Sequence, residues 1–170
     1  LNEGCNMSFQ EEKRESIKRY MLEKIRQDDV EFIQKTMENF EISVTTVKRY
    51  LRECLENQIL CEDKDKKTGY QLKTSLHTFS YQSERHLDED EIYCEDIRPL
   101  LEDDSKEAKS VWYYAFTEMM NNAIEHSGCE SIQCVLKKDY LYTEISIIDD
   151  GIGIFMNVQD YLQEKLARAV

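Results

Sequence analysis

Residues 116–127 constrain this chain more than any other stretch. Phe116, Met119, Met120, Ala123 and Ile124 recur at helical spacing and predict an amphipathic helix with one apolar stripe. Glu118, Asn121, Asn122 and Glu125 fall on the other side. Glu118 and Asn122 are four residues apart, so their side chains stand one turn from each other. An amide oxygen there can bind a hard cation such as Mg²⁺, which otherwise keeps waters and phosphate oxygens. The carboxylate beside it can orient or deprotonate a water or hydroxyl. The plainer reading of the same residues is a solvated polar face on an ordinary core helix.

A second stretch shifts that balance. Ile145 and Ile147 alternate with polar residues and predict a strand. The strand runs into Asp149-Asp150-Gly151-Ile152-Gly153. Gly151 and Gly153 permit backbone angles and close approaches that a side chain would block. Asp149, at the strand end, could accept a hydrogen bond from an exocyclic amine. Alone, Asp-x-Gly-x-Gly is often just a turn. After a Glu-x-x-x-Asn helix and a hairpin it is far more specific.

Together these motifs resemble the GHKL ATPase superfamily, which includes gyrase, the heat-shock 90 chaperones, sensor histidine kinases and mismatch-repair ATPases. The helix is similar to its N box, and Asp149-x-Gly151-x-Gly153 to its first glycine box. The phrase from Glu118 to Ser127 is closest to the anti-sigma-like and bacterial regulator branch. The resemblance covers roughly residues 87–157. It implies ATP and Mg²⁺ as cofactors, Glu118 as general base, Asn122 as the Mg²⁺ ligand and Asp149 as the adenine-reading carboxylate. Gly151 and Gly153 would line the base pocket. The family's glycine-rich lid and second glycine box do not follow, since the five glycines lie at 4, 69, 128, 151 and 153. This chain as it stands is therefore expected to bind ATP weakly or not at all. An exposed strand edge near its end would invite a homodimer.

Residues 8–73 read as a separate unit. Ile17, Met21 and Ile25 predict a helix over 11–27, and Ile33, Met37 and Phe40 a second over 30–40. Glu41-Ile42 forms a short turn. Ser43 is a good N-cap for a third helix with Val47, Leu51 and Leu55 inward, closed by Asn57 in a left-handed conformation. Residues 59–62 and 70–73 then flank a hairpin tip carrying Lys64, Lys66 and Lys67. This order resembles a winged helix-turn-helix DNA-binding domain. The resemblance implies that the third helix enters the major groove, with Thr45, Thr46, Lys48, Arg49 and Arg52 on its outer face. The wing lysines would hold phosphates. Winged helices also serve as protein-interaction modules.

Charge separates the two parts. Residues 1–73 hold 14 Lys+Arg against 15 Asp+Glu, and residues 74–170 hold 8 against 20. The acidic second part argues against general nucleic-acid binding, whereas the first part can still carry a basic face. Residues 83–91 mark the boundary. His86 and His77 are read as surface histidines. Ile97, Leu100 and Leu101 predict a short helix that Pro99 begins or kinks. Residues 131–136 and 140–148 are expected to pair across Lys137-Lys138-Asp139, and residues 155–169 to form a helix. The six cysteines show no Cys-x-x-Cys spacing and read as reduced thiols of a cytoplasmic protein. No apolar run is long enough to cross a membrane. The first residue is not Met, and Met7 is a candidate start.

The resulting expectation is an α+β protein. A winged helix (three helices plus a β-hairpin) over 8–73 precedes a partial GHKL-type α/β two-layer sandwich over 84–170. The role expected is a DNA-binding transcriptional regulator whose output responds to ATP. Two alternatives remain: an ATP-dependent protein kinase of the histidine-kinase or anti-sigma type, and a degenerate interaction module that binds no nucleotide.

Overall fold

The computed structural model describes residues 3–82 and 86–151, with side chains from residue 10 onward. Its class is mixed α+β. Contacts divide the chain into two compact units, Leu1–Ser75 with Lys138–Thr143, and Leu76–Lys137 with Glu144–Val170.

The first unit begins with three helices, α1 (Glu3–Arg26), α2 (Phe32–Phe40) and α3 (Val44–Glu56). A short antiparallel hairpin follows, β1 (Leu60–Glu62) and β2 (Tyr70–Leu72), in the register Leu60↔Leu72. Ile17, Met21, Leu22 and Ile25 of α1 pack with Phe32, Val47, Leu51, Cys54, Leu60 and Leu72 into one core. Ser43 caps α3, its hydroxyl accepting from the Thr46 N–H at 3.2 Å. All three helices end alike. Asp28, Glu41 and Gln58 take left-handed φ values of 55°, 53° and 58°. One residue later an N–H reaches back to the carbonyl five positions earlier: Asp29 to Lys24, Ile42 to Met37, and Ile59 to Cys54. These are Schellman closures built without glycine. The left-handed residue closing α3 is thus Gln58, and Asn57 keeps φ −81°. The reason is packing. The closure brings Ile59, C-terminal to it, against the core and outweighs the greater tolerance of Asn for left-handed angles. The α2 boundary also differs from expectation. Val30 is 62% exposed, the helix starts at Phe32, and Phe32 and Thr36 are the deeply buried positions.

Asp28 has a further task. Its carboxylate accepts from the Thr68 N–H at 3.0 Å and the Thr68 hydroxyl at 3.3 Å, which ties the hairpin to the end of α1. These Thr68 bonds hold its carboxyl below the usual range, burial notwithstanding. Residues 138–143 complete this unit from far along the chain. Leu141 is 6% exposed and belongs to the same core. Tyr142 donates to Glu23 at 2.7 Å, and the Arg26 guanidinium lies 4.3 Å from its ring centre. Tyr140 donates to Glu15.

The second unit holds a three-stranded sheet in the order β3 (Ser75–Gln82), β4 (Ser131–Lys138), β5 (Thr143–Asp149). Against it lie α4 (Glu89–Ile92), a π turn (Tyr93–Ile97), a 3-10 turn (Arg98–Leu101) and the long α5 (Lys106–His126). Ile132, Cys134 and Leu136 alternate along β4 and are buried against Phe116, Met120 and Ala123 of α5 and against Ile92, Ile97 and Leu101. Ile145 and Ile147 of β5 and Phe79 and Tyr81 of β3 extend that face. The short helix expected around Ile97 is the 3-10 turn Arg98–Leu101 with Pro99 in its first turn, and it follows directly on α4 and the π turn. Pro99 has no N–H to donate, and the helical type changes from π to 3-10 at Arg98, just before it. Tyr81 donates to Asp96 at 2.7 Å, joining sheet to helical layer. The β4–β5 reversal also falls later than expected. Asp139 accepts from the Leu141 and Tyr142 N–H groups at 2.8 and 2.9 Å, so residues 139–142 turn and strand resumes at Thr143.

The described cysteines are free thiols, and burial pushes those of Cys54 and Cys134 up to about 11. Among the described residues no helix is long and apolar enough to cross a membrane. Removing a buried leucine side chain costs roughly 2–5 kcal/mol, whereas an exposed one costs within about 0.5. Leu141→Ala is therefore expected to destabilise the first unit by that larger amount, read as faster hydrogen exchange at the buried amides of α1. Leu76→Ala, 64% exposed, is expected to leave that exchange unchanged.

Candidate functional site

Ser105 starts α5 by accepting from the Ala108 N–H at 3.1 Å, and the helix then runs unbroken to His126. That phase decides which side chains leave the core. Phe116, Met120 and Ala123 are buried. Met119, counted in the apolar stripe, is 42% exposed. It belongs instead to the wall of a pocket of about 340 Å³ formed by Met119, Asn122, Ala123, His126 and Ser127 with Ile147 and Asp149 of β5. Two residues expected to serve one site, Asn122 and Asp149, therefore line the same cavity. Its volume lies near the lower end of the range for small-molecule sites.

The turn after β5 sets this geometry. The Gly151 N–H donates to Asp149 Oδ1 at 3.0 Å. A Cβ on Gly151 would lie 2.2 Å from the Ser127 carbonyl oxygen, so only glycine fits. Ser127 is buried at the end of α5. Its hydroxyl donates to the Ala123 carbonyl at 2.6 Å and accepts from the Cys129 N–H at 3.1 Å. Gly128 beside it has φ +65° with open space where a Cβ would go. Asp150 accepts from the Glu130 and Ser131 N–H groups at 2.8 and 3.0 Å and from the Ser131 hydroxyl at 2.8 Å. The bonds from Ser131 hold its carboxyl below the usual carboxylate range.

Glu118 is exposed one turn before Asn122 and is not part of the pocket wall. Gly153 and the helix expected over 155–169 lie outside the described residues. Among the described residues no group of three or more His, Cys, Asp or Glu side chains is arranged to hold a metal ion. A cation at Asn122 would thus need ligands from phosphate and water, which is how Mg²⁺ is usually bound beside nucleotides. Asn122 could supply one amide oxygen to such a shell.

A second surface lies on α3 and the β1–β2 hairpin. Thr45, Lys48, Arg49 and Arg52 are exposed on the helix, and Lys64, Lys66 and Lys67 on the hairpin tip. Thr46 is half-buried, with its hydroxyl 3.0 Å from that of Ser43, and so serves the helix cap. Glu53 gathers cations beneath this face, with Arg14 at 2.7 Å, Lys18 at 3.6 Å and Arg49 at 4.0 Å. Burial pushes the Glu53 carboxyl up, but Arg14 and the other two outweigh this and hold it low. The Arg49 guanidinium also sits 5.1 Å from the Tyr50 ring centre.

Sequence reasoning does not mark Ser127, Met119, His126 or Asp150 as site residues. The first three follow from extending the α5 face by one turn in each direction. Asp150 reads there only as the spacer between Asp149 and Gly151. No protein-family model, no curated protein and no solved structure matches the chain.

Two glycine replacements should separate close approach from backbone angle. Gly151→Ala forces a backbone contact to shift and is expected to cost about 1–3 kcal/mol or more, as overpacking does. Gly128→Ala meets only the left-handed penalty of about 1–2 kcal/mol. Trp112, the single tryptophan, packs against the second unit's core and reports both in denaturant melts.

Proposed function

We propose that this chain is a transcriptional regulator that binds DNA through a winged helix-turn-helix in its first unit and ATP through a GHKL-type module in its second. The observation that carries the nucleotide reading is the shared pocket of Asn122 and Asp149, bordered by a glycine turn that admits no side chain. With Oδ1 engaged by the Gly151 N–H, Asp149 would accept from the adenine amine through Oδ2. Asn122 would hold Mg²⁺ through its amide oxygen. Bound ATP would supply the phosphate ligands that complete the cation's shell. Glu118, exposed one turn away, would take a proton from a water or hydroxyl. Free cysteines among the described residues suit the bacterial cytoplasm.

DNA binding is supported by the position of the exposed cations. Lys48, Arg49 and Arg52 share the outer face of α3, the helix that follows the tight turn, and the lysine-bearing hairpin comes next in the chain. Replacing all three by Ala is expected to weaken DNA binding. The slope of log affinity against log salt should also fall by roughly 1 for each residue that contacts phosphate. A binding titration at several salt concentrations checks this, and an unchanged slope would move the DNA surface elsewhere.

Nucleotide binding and turnover should separate by residue. Asp149→Asn presents a donor where an acceptor is needed and is expected to weaken ATP binding about tenfold or more, as loss of a charged hydrogen bond does. Glu118→Ala is expected to retain binding and lose hydrolysis or transfer. Should Glu118→Ala turn ATP over like the parent, Glu118 is not the base.

A further inference from the structure

Asp150 stands between Asp149, which lines the pocket, and Gly151, which packs on Ser127, yet does not line the pocket itself. Its three accepted bonds all come from Glu130 and Ser131, the residues that lead from the end of α5 into β4. Its own N–H reaches the Ser131 carbonyl at 3.4 Å. On one side of it, Gly151 lies against the Ser127 backbone. On the other, Asp149 keeps Oδ1 on the Gly151 N–H, and its Oδ2 has no partner among the described residues. Both pocket walls, Asn122 to Ser127 on α5 and Ile147 to Asp149 on β5, thus meet where the α5–β4 turn and the glycine turn are bonded together. A two-oxygen clamp of this kind removes the swivel that a single bond would leave.

We infer that Asp150 is a positioning residue for base selection: by clamping residues 149–151 to Glu130 and Ser131 it fixes the direction in which Asp149 presents its free oxygen, and thereby sets the preference for adenine over guanine nucleotides. This rests on the reading of the pocket as a nucleotide site. The chemistry of the choice is simple. Adenine carries a 6-amino donor that a carboxylate oxygen accepts, whereas guanine carries a 6-oxo acceptor that the same oxygen repels. The discrimination is only as sharp as the carboxylate is fixed, because a swivelling carboxylate can turn aside for the oxo group.

The test is an NMR titration of the full chain with ATP and with GTP, each with Mg²⁺, from micromolar to millimolar. The parent is expected to favour ATP by about tenfold or more, the worth of one charged hydrogen bond. In Asp150→Ala the ATP affinity should fall about tenfold while GTP falls less, so that the ratio approaches one. Asp150→Asn should keep the parent's ratio, because its amide oxygen can still accept from both N–H groups. Ser131→Ala removes only the hydroxyl bond and should lower the ratio about threefold, near 0.6 kcal/mol; it decides the matter if Asp150→Ala does not fold. An unchanged ratio in a folded Asp150→Ala, or in Ser131→Ala where Asp150→Ala is unfolded, overturns the inference. So does Asp150→Asn behaving like Asp150→Ala, since charge would then matter rather than position. Weak affinity is expected of this chain, which is why the titration runs to millimolar nucleotide; a parent that binds neither nucleotide even there overturns the nucleotide reading itself and this inference with it.

Discussion

The second unit depends on one close approach. The Gly151 Cα lies so near the Ser127 backbone that a methyl group there would sit 2.2 Å from a carbonyl oxygen. Neither residue can relax easily. Ser127 is held by its hydroxyl to the last turn of α5 and to the Cys129 N–H. Gly151 is held by its N–H to Asp149. The end of a long helix and the end of a sheet strand are thereby fixed within one turn of each other. That distance decides that Asn122 and Asp149 face a common space rather than two separate ones.

Much of this was legible in the sequence, and the reasons differ by residue. Ser43 announced itself because a hydroxyl before an apolar-periodic run satisfies an otherwise orphaned N–H. Val47 and Leu51 followed from helical spacing, and Ile145 and Ile147 from alternation. Asn122 and Asp149 drew notice only because a Glu-x-x-x-Asn helix is followed by Asp-x-Gly-x-Gly, each motif alone being common, and the two residues line one pocket. The misses share a cause. Gln58, not Asn57, takes the left-handed angle because the core needs Ile59, a demand invisible to local propensity. Met119 fits the apolar stripe by spacing but stands at its edge, where the sheet ends and the pocket begins. Asp150 carries no apolar or motif signal, and its partners are twenty residues away.

The first unit shows how an almost neutral charge balance can still yield a polarised surface. Glu53 sits at the base of α3's outer face and draws Arg14, Lys18 and Arg49 toward it. Lys18 is buried beside Glu53, while the pairs made by the exposed Arg14 and Arg49 add little to stability. Their larger effect is on direction: Arg49 is braced between Glu53 and the Tyr50 ring rather than free to sweep. Lys48 and Arg52 flank it on the exposed side. The i,i+4 spacing of Arg49 and Glu53 is visible in the sequence, whereas Arg14 and Lys18 reach Glu53 from α1, which charge counts cannot reveal.

Leu141 gives the first unit an unusual history during synthesis. Its helices and hairpin are encoded by Leu1–Ser75, but the side chain that closes their core belongs to Lys138–Thr143. A ribosome adding about 5–20 residues per second would expose the early helices several seconds before that side chain emerges. In the interval the nascent unit lacks one of its buried core side chains. Such long-range closure raises contact order and slows the final step of folding. The nascent chain would therefore pass through a stage in which its helices have formed while their packing awaits a segment still inside the ribosome.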